Sequence, residues 1–362
     1  MTSTSTYTYT SRAGTTPAEP VLASSLLQST PTSTQETTPS GSSTASWNLA
    51  TDIEKGLFPP SKDDVFHPGK VIGFSKLRGR LNEAGDDEEV GQFPRHLLTT
   101  WLSSHSNHQA RSKRAYIIHP QTSNIFSPQS LLKSLLSHHQ GQESSTEAKK
   151  KAISLLDAVT LFPVHDFASA IDAIHEISKR LSQEQEQEGV QDQQSPTENV
   201  LIIVGLDSLT DSIIRSSSAL RGAAVLAGAL RTVTGFSRGC KGGLSVLLVN
   251  TSLVGPSPYQ SQANRTHNQP HHPQCGFEGN ATGTTGSGGG SAAGIQSAFT
   301  APDTNLFPSL LMKTLDQGVD THLLLSRDRG ENVVEVIKDR VGEGSGKWCV
   351  WPPSSRVEGV SR

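Results

Sequence analysis

Residues 199–210 read NVLIIVGLDSLT, an unbroken apolar run that ends in a glycine and a short polar signature. A run of Val, Leu and Ile without polar alternation is typical of a strand that is covered on both faces. An acidic residue just past such a strand lies at the carboxyl edge of a parallel sheet, where α/β proteins bind ligands. Asp207 therefore has two interpretations: a carboxylate that orients Mg²⁺ in a nucleoside-triphosphatase, or an ordinary residue at the start of the next helix.

Apolar runs and helical stripes alternate along the rest of the chain. Strands are predicted at 70–74, 114–119, 158–162 and 244–250, followed by three closely spaced strands at 321–326, 333–337 and 348–351. Helices are predicted at 96–104, 128–136, 166–181 and 220–236. Strand–helix alternation followed by a meander on one edge predicts a single α/β domain with a mixed, mostly parallel sheet flanked by helices.

The composition predicts that much of the chain lies outside this sheet. Only 33% of the 362 residues are hydrophobic and 5% aromatic, and the deficit is local. We expect a disordered Ser/Thr-rich tail at 1–50, a Gln/Glu-rich loop at 182–198 and a disordered Gly/Ser/His-rich insertion at 255–303. The core domain is then predicted at 65–352, with both loops inside it.

Charge, cysteines and hydropathy exclude several classes of protein. The net charge of −3 gives no global attraction to nucleic acid or to an anionic membrane. Three widely spaced cysteines argue against a disulfide framework or a zinc site and fit a reducing compartment. No stretch reaches the roughly 18 apolar residues that a membrane span needs. His138, His139, His267, His271 and His272 lie in Gln/Ser-rich loops without paired acidic or Cys ligands, so we expect no metal site there.

Five short segments resemble one family when they are taken in order. They read DSLT at 207–210, VLLVNTS at 246–252, LFPSL at 306–310, VDTHLLLSR at 319–327 and VEVIKDR at 334–340. Over about residues 70–351, the chain thus resembles the ATPase core of the RecA/RadA recombinase family, in particular its eukaryotic paralogs. The resemblance implies a RecA-like P-loop NTPase fold, with a generic α/β sheet of another superfamily as the alternative.

The chain departs from this family at the residues that perform catalysis. Residues 75–89, where a P-loop would follow the first strand, contain no Gly-Lys-Ser/Thr and carry an acidic run. Where the family has a catalytic glutamate after the second strand, Gln121 stands, which cannot act as a base. We therefore expect a degenerate ATPase with no catalytic residues and without bound ATP or Mg²⁺, in which Asp207, Ser208 and Gln121 are remnants of the nucleotide site. Loss of the P-loop through an error in the gene model is the alternative.

The resemblance also implies a function through association. We expect a non-catalytic paralog that acts in homologous recombination and DNA repair in the nucleus, with the cytoplasm as the alternative location. Its expected partners are other RecA-like subunits in a hetero-oligomer, together with single-stranded DNA. Arg111, Lys113 and Arg114 form a basic cluster that could contact DNA phosphates, or that simply leads into a strand in solvent. The open alternatives are a structural RecA-like subunit of an Elongator-like tRNA-modification complex, or a DNA-dependent ATPase.

Overall fold

The described part of the chain is a single sheet with helices on both faces. The computed structural model describes residues 48–59, 61, 64–78, 86–104, 112–139, 145–188, 197–240, 243–255, 295–300, 305–328, 330–342 and 344–351. The helices are α1 Leu49–Lys55, α2 Asp86–Ser103, α3 Pro128–His139, α4 Ser145–Leu156, α5 Phe167–Glu188, α6 Leu206–Ser216, α7 Ala219–Gly239 and α8 Leu310–Gly318. The strands are β1 Val71–Lys76, β2 Lys113–Pro120, β3 Val159–Val164, β4 Glu198–Val204, β5 Leu244–Val249, β6 Thr321–Asp328, β7 Glu331–Asp339 and β8 Trp348–Trp351.

The eight strands are arranged in the order β3-β2-β4-β5-β1-β6-β7-β8. The first six are parallel to one another, while β7 pairs antiparallel with both β6 and β8. The predicted α/β class, the mixed sheet and the meander at one edge are therefore confirmed. The strands β4 and β5 lie inside the sheet, as their apolar sequences predict, and they pair with each other, with Ile202 opposite Leu247.

Two hydrophobic cores, one on each face of the sheet, explain why the β4 sequence does not alternate. Leu201 and Ile203 point into the core beneath α5, α6, α7 and α8. Val200, Ile202 and Val204 point into the other core, beneath α1, α2, α3 and α4. Both faces of β4 are thus covered, so every position from 200 to 204 is fully buried and apolar.

The boundaries of the core domain differ from the predicted 65–352. Helix α1 lies N-terminal to residue 65, and its Leu49 and Ile53 are buried in the same core as the sheet. The ordered domain therefore begins at about residue 48, inside the segment predicted as a tail. The sequence did not indicate this helix, because only two of its seven residues are apolar core positions.

Two predicted loops are also shorter than expected. Helix α5 continues to Glu188, so the first seven residues of the Gln/Glu-rich segment are helical. Gln and Glu are good helix formers, and Gln185 donates a hydrogen bond to Cys240 Sγ over 3.0 Å. Of the predicted insertion at 255–303, residues 295–300 are packed on the domain, where Phe299 meets Trp348 edge to face at 5.4 Å.

The remaining predictions of disorder concern residues that the structure does not describe. Residues 1–47, 189–196 and 256–294 lie outside the described ranges. Among the helices of the described ranges, every one is too short or too polar to cross a bilayer.

Candidate nucleotide-site remnant at the carboxyl edge of the sheet

The position of Asp207 is set by a glycine that joins β4 to α6 without a loop. Gly205 has φ 68°, in the left-handed region that residues with a side chain rarely adopt. A Cβ atom at Gly205 would lie 3.0 Å from Pro120 Cγ and 2.9 Å from Ser208 Oγ, so the site has no room for one. The chain therefore turns straight from the strand into the helix, and Asp207 falls in the first helical turn.

The Asp207 carboxylate is fully buried and is used inside the protein. Its two oxygens accept hydrogen bonds from the backbone N–H of Thr251 over 3.2 Å and of Ser252 over 2.5 Å. The Thr251 hydroxyl lies 3.4 Å from each of them. Such charge-assisted bonds to backbone N–H groups are among the stronger hydrogen bonds in proteins. Asp207 therefore ties the start of α6 to the segment that follows β5, instead of facing a ligand.

The other two predicted remnants point elsewhere. The Gln121 side chain is exposed and its amide nitrogen lies 3.2 Å from His165 Nε2, beyond the end of β3. Ser208 is exposed and donates its hydroxyl hydrogen to the Gly205 carbonyl over 2.8 Å. Asp207 thus contacts the segment after β5, whereas Gln121 contacts the segment after β3. The structure therefore does not bring the predicted remnants together around one ligand position.

A buried chain of polar side chains runs from this edge to His322, near the amino end of β6. Asn250, directly after β5, donates its amide N–H to Ser75 Oγ over 2.8 Å. Ser75 Oγ lies 2.9 Å from His322 Nε2, and His322 Nδ1 lies 2.9 Å from Asp316 Oδ1. Gly73 packs closely against Val319, since a Cβ there would lie 3.0 Å from Val319 Cγ1, whereas its 3.5 Å distance to His322 Cδ2 would be an ordinary contact.

Sequence reasoning missed this chain, although Ser75 and His322 are polar residues in otherwise apolar strands. Asn250 donates to Ser75, and the two ring nitrogens of His322 contact the Ser75 hydroxyl on one side and the Asp316 carboxylate on the other. Burial opposes ionisation of Asp316, but hydrogen bonding and charge from His322 and Lys338 outweigh it and lower its pKa. Every member of the chain is thus satisfied by another side chain of the same domain.

Ser75, His322 and Asp316 have the connectivity of a nucleophile, a base and an orienting acid, but they are sealed from solvent. Ser75 is 0% and His322 1% exposed, and Phe307 stacks on the His322 ring with centroids 5.3 Å apart. A serine nucleophile must reach its substrate, and Ser75 lies within a strand rather than on an exposed turn. This set of hydrogen-bonded side chains therefore links β1, β5 and β6. Because a substrate cannot reach Ser75, the set performs no hydrolysis in this conformation.

The connection from β1 to α2 is the segment in which the resemblance to RecA-like proteins would place a P-loop. Its residues 79–85 lie outside the described ranges, and α2 begins at Asp86 with the sequence Asp-Asp-Glu-Glu. The N-terminus of a helix attracts anions, which is how P-loop proteins hold phosphate. The acidic sequence of residues 86–89 does not suit this role.

A cleft lies beside this connection. It encloses about 370 Å³ of empty space, counting the part open to solvent, between β1, β6, β7 and α2. Its walls include Lys76, Phe93, Arg327 and Trp351, while Asp207 does not line it. The predicted remnants and the cleft are therefore separate features of this edge.

The basic cluster lies at the opposite, amino edge of the parallel strands. Arg111 is outside the described residues, whereas the Lys113 ammonium binds the carbonyls of Trp101 and Ser104 at the end of α2. Burial lowers the pKa of Lys113, against the opposing charge of Glu198. Arg114 pairs with Glu184 on α5. Both described members thus have structural partners, and Lys113 in particular caps a helix.

Comparisons with known proteins add no family. No protein-family model matches the chain, and the search of curated proteins finds no match. Within the described residues, no group of three or more His, Cys, Asp or Glu side chains is placed to hold a metal ion.

Proposed function

We propose that this protein is a RecA-like recombinase paralog that has lost ATPase activity and acts by protein association in homologous recombination and DNA repair. The mixed sheet supports the RecA-like part of the proposal. Its order places β5 between β4 and β1, so that Asp207, Asn250 and Ser75 follow or end neighbouring parallel strands at one edge. A RecA-like nucleotide site would be built at this edge, because α/β sheets bind ligands at the carboxyl ends of their strands.

The engagement of Asp207 is the observation on which the loss of catalysis rests. Phosphoryl transfer depends on several electrostatic contacts that are present together: the phosphate cradle, the lysine, Mg²⁺ and a group that activates water. In this chain the P-loop sequence is missing and Gln121 replaces the base. The remaining carboxylate binds two backbone N–H groups of its own domain. The carboxylate at this edge therefore has its hydrogen-bond partners without a nucleotide.

The place of action follows from the resemblance. A subunit with this fold and no active site of its own can still occupy a position in a ring or filament of RecA-like subunits. We therefore propose nuclear hetero-oligomers with other RecA-like proteins, on or near single-stranded DNA. No specific contact in the described residues favours an Elongator-like complex over this assignment.

The test uses the purified full-length chain. We expect titration calorimetry with Mg²⁺-ATP to detect no tight binding, and an ATPase assay to detect no turnover, with or without single-stranded DNA. Affinity purification of the native protein should recover recombinase paralogs. DNA-stimulated turnover would overturn the loss of catalysis, and recovery of Elongator subunits would overturn the assignment to recombination.

A further inference from the structure

Helix α1 is held on the domain by a small charged cluster as well as by apolar contacts. Leu49 and Ile53 are buried and α1 packs beside β8. At its start, Asn48 Oδ1 accepts a hydrogen bond from Ala50 N over 3.0 Å, which caps the helix. With only seven residues, α1 is too short to be stable by itself in water, so its contacts with the domain decide whether it forms.

Two buried carboxylates meet beneath α1. Asp52 on the helix is 2% exposed, and Asp64, shortly before β1, is 4% exposed. Asp52 Oδ2 accepts the backbone N–H of Val65 over 3.1 Å. Asp64 Oδ2 is buried without a hydrogen-bond partner among the described residues. Burial, together with the neighbouring Asp64, raises the pKa of Asp52 despite its hydrogen bonds from Val65 and Lys55.

One ammonium group joins the two carboxylates. Lys55 Nζ lies 3.1 Å from Asp52 Oδ1 and 2.8 Å from Asp64 Oδ1. The only other cation that contacts this cluster within the described residues is Lys70, which donates to the Asp64 backbone carbonyl over 2.9 Å. Hydrogen bonds to Asp64 and Asp52 raise the pKa of Lys55. The side chain of Lys55 is 37% exposed, so solvent reaches the ammonium but not the acids it joins.

We propose that Lys55 is a charge-dependent latch: its ammonium holds α1 on the domain by joining Asp52 and Asp64, and loss of this charge releases α1. Without the ammonium, two buried carboxylates face each other with no cation between them, which is strongly unfavourable. This repulsion between the two carboxylates is relieved when α1 leaves the domain and Asp52 enters water. Release also uncovers the apolar surface under Leu49 and Ile53. The latch does not depend on the proposed role in recombination.

The test measures hydrogen exchange by mass spectrometry in peptides that cover residues 48–58 of the full-length chain. In Lys55→Gln, exchange of the α1 amides should rise by about tenfold or more, since hydrogen bonds to charged groups contribute about 1.5–3 kcal/mol each. Lys55→Arg, which keeps the charge, should stay close to the wild type. In both variants the amides of β4 and β5 should exchange as in the wild type, because the change is local.

A double variant separates charge from packing. In Lys55→Gln with Asp52→Asn, the new amide can accept from Val65 and donate to Asp64, and one negative charge is gone. Protection of α1 should therefore return toward the wild-type value. Wild-type protection in Lys55→Gln, a double variant as unprotected as the single one, or an equal rise of exchange in β4 and β5 would each overturn the latch.

Discussion

Replacing Asp207 by alanine separates a structural carboxylate from one that is kept for a ligand. The substitution removes the acceptor of two backbone N–H groups, those of Thr251 and Ser252. Asp207 itself is 0% exposed, and the two N–H groups, on half-buried residues, lose a charged acceptor. A carboxylate that waits for Mg²⁺ behaves in the opposite way, because removing an unpaired active-site charge commonly leaves stability unchanged or raises it.

The expected loss is large compared with the stability of a domain. Hydrogen bonds to charged groups contribute about 1.5–3 kcal/mol each, so two of them contribute about 3–6 kcal/mol. Total stabilities of about 5–15 kcal/mol are usual, so the variant loses a substantial fraction. Because a domain of this size loses about 2–4 °C of Tm per kcal/mol, the melting temperature should fall by about 6–24 °C.

Thermal unfolding followed by circular dichroism measures this effect, with Asp211→Ala as the matched control. Asp211 lies on the same helix and is exposed, and its carboxylate has no hydrogen bond to the segment after β5. The control should melt within about 2 °C of the wild type, as exposed substitutions usually do. An Asp207→Ala protein that melts with the control would refute the structural role and return Asp207 to the list of candidate Mg²⁺ ligands.

Three further predictions concern the same domain. Gly205→Ala should destabilise the domain by at least about 1–2 kcal/mol in urea unfolding, because φ 68° is strained for alanine and the new Cβ would meet Pro120. Gly235→Ala is the control, since it has open space on α7 and should stabilise the domain by up to about 1 kcal/mol. Equal effects of the two substitutions would contradict this account. The pKa of Asp316 is lowered in the folded state, so its contribution to the free energy of unfolding is fully present above the ordinary pKa of 3.8 and is lost as pH falls through the folded pKa. The stability of Asp316→Asn should therefore depend less on acid pH than that of the wild type. Deletion of 260–292 should leave the melting temperature nearly unchanged, since loop length enters the closure entropy only logarithmically, and a loss of many degrees would show that this segment packs.

The strands could be predicted from the sequence because their apolar residues are contiguous. Residues 200–204 and 244–249 are Val, Leu and Ile with a single serine, and burial on both faces of a sheet explains such runs. Besides α1, three helices escaped prediction for separate reasons. Helix α4 carries three consecutive lysines, α8 has nine residues, and α6 starts immediately after β4 with no loop to mark it.

The candidate site could be predicted only in part, because a sequence pattern gives the position of a side chain along the chain but not its direction. The apolar run correctly placed Asp207 at the carboxyl edge of the sheet. The hydrogen bonds that occupy its carboxylate depend on the turn at Gly205 and on residues 44 and 45 positions further along. The contact between Ser75 and His322 joins residues 247 positions apart, a separation that no local pattern can reveal.

The polar groups at this edge distinguish a vacant enzyme site from one that has become part of the core. An enzyme that binds nucleotide keeps donors and acceptors that water satisfies until the ligand arrives, and this preorganisation usually reduces stability. Here Asn250 donates to Ser75, and Ser75 meets His322, while Asp207 holds the segment after β5. A buried network in which every member is satisfied makes its surroundings rigid. The hydrogen bonds therefore stabilise this edge of the sheet in the conformation observed, with the carboxylate of Asp207 as one of its structural groups.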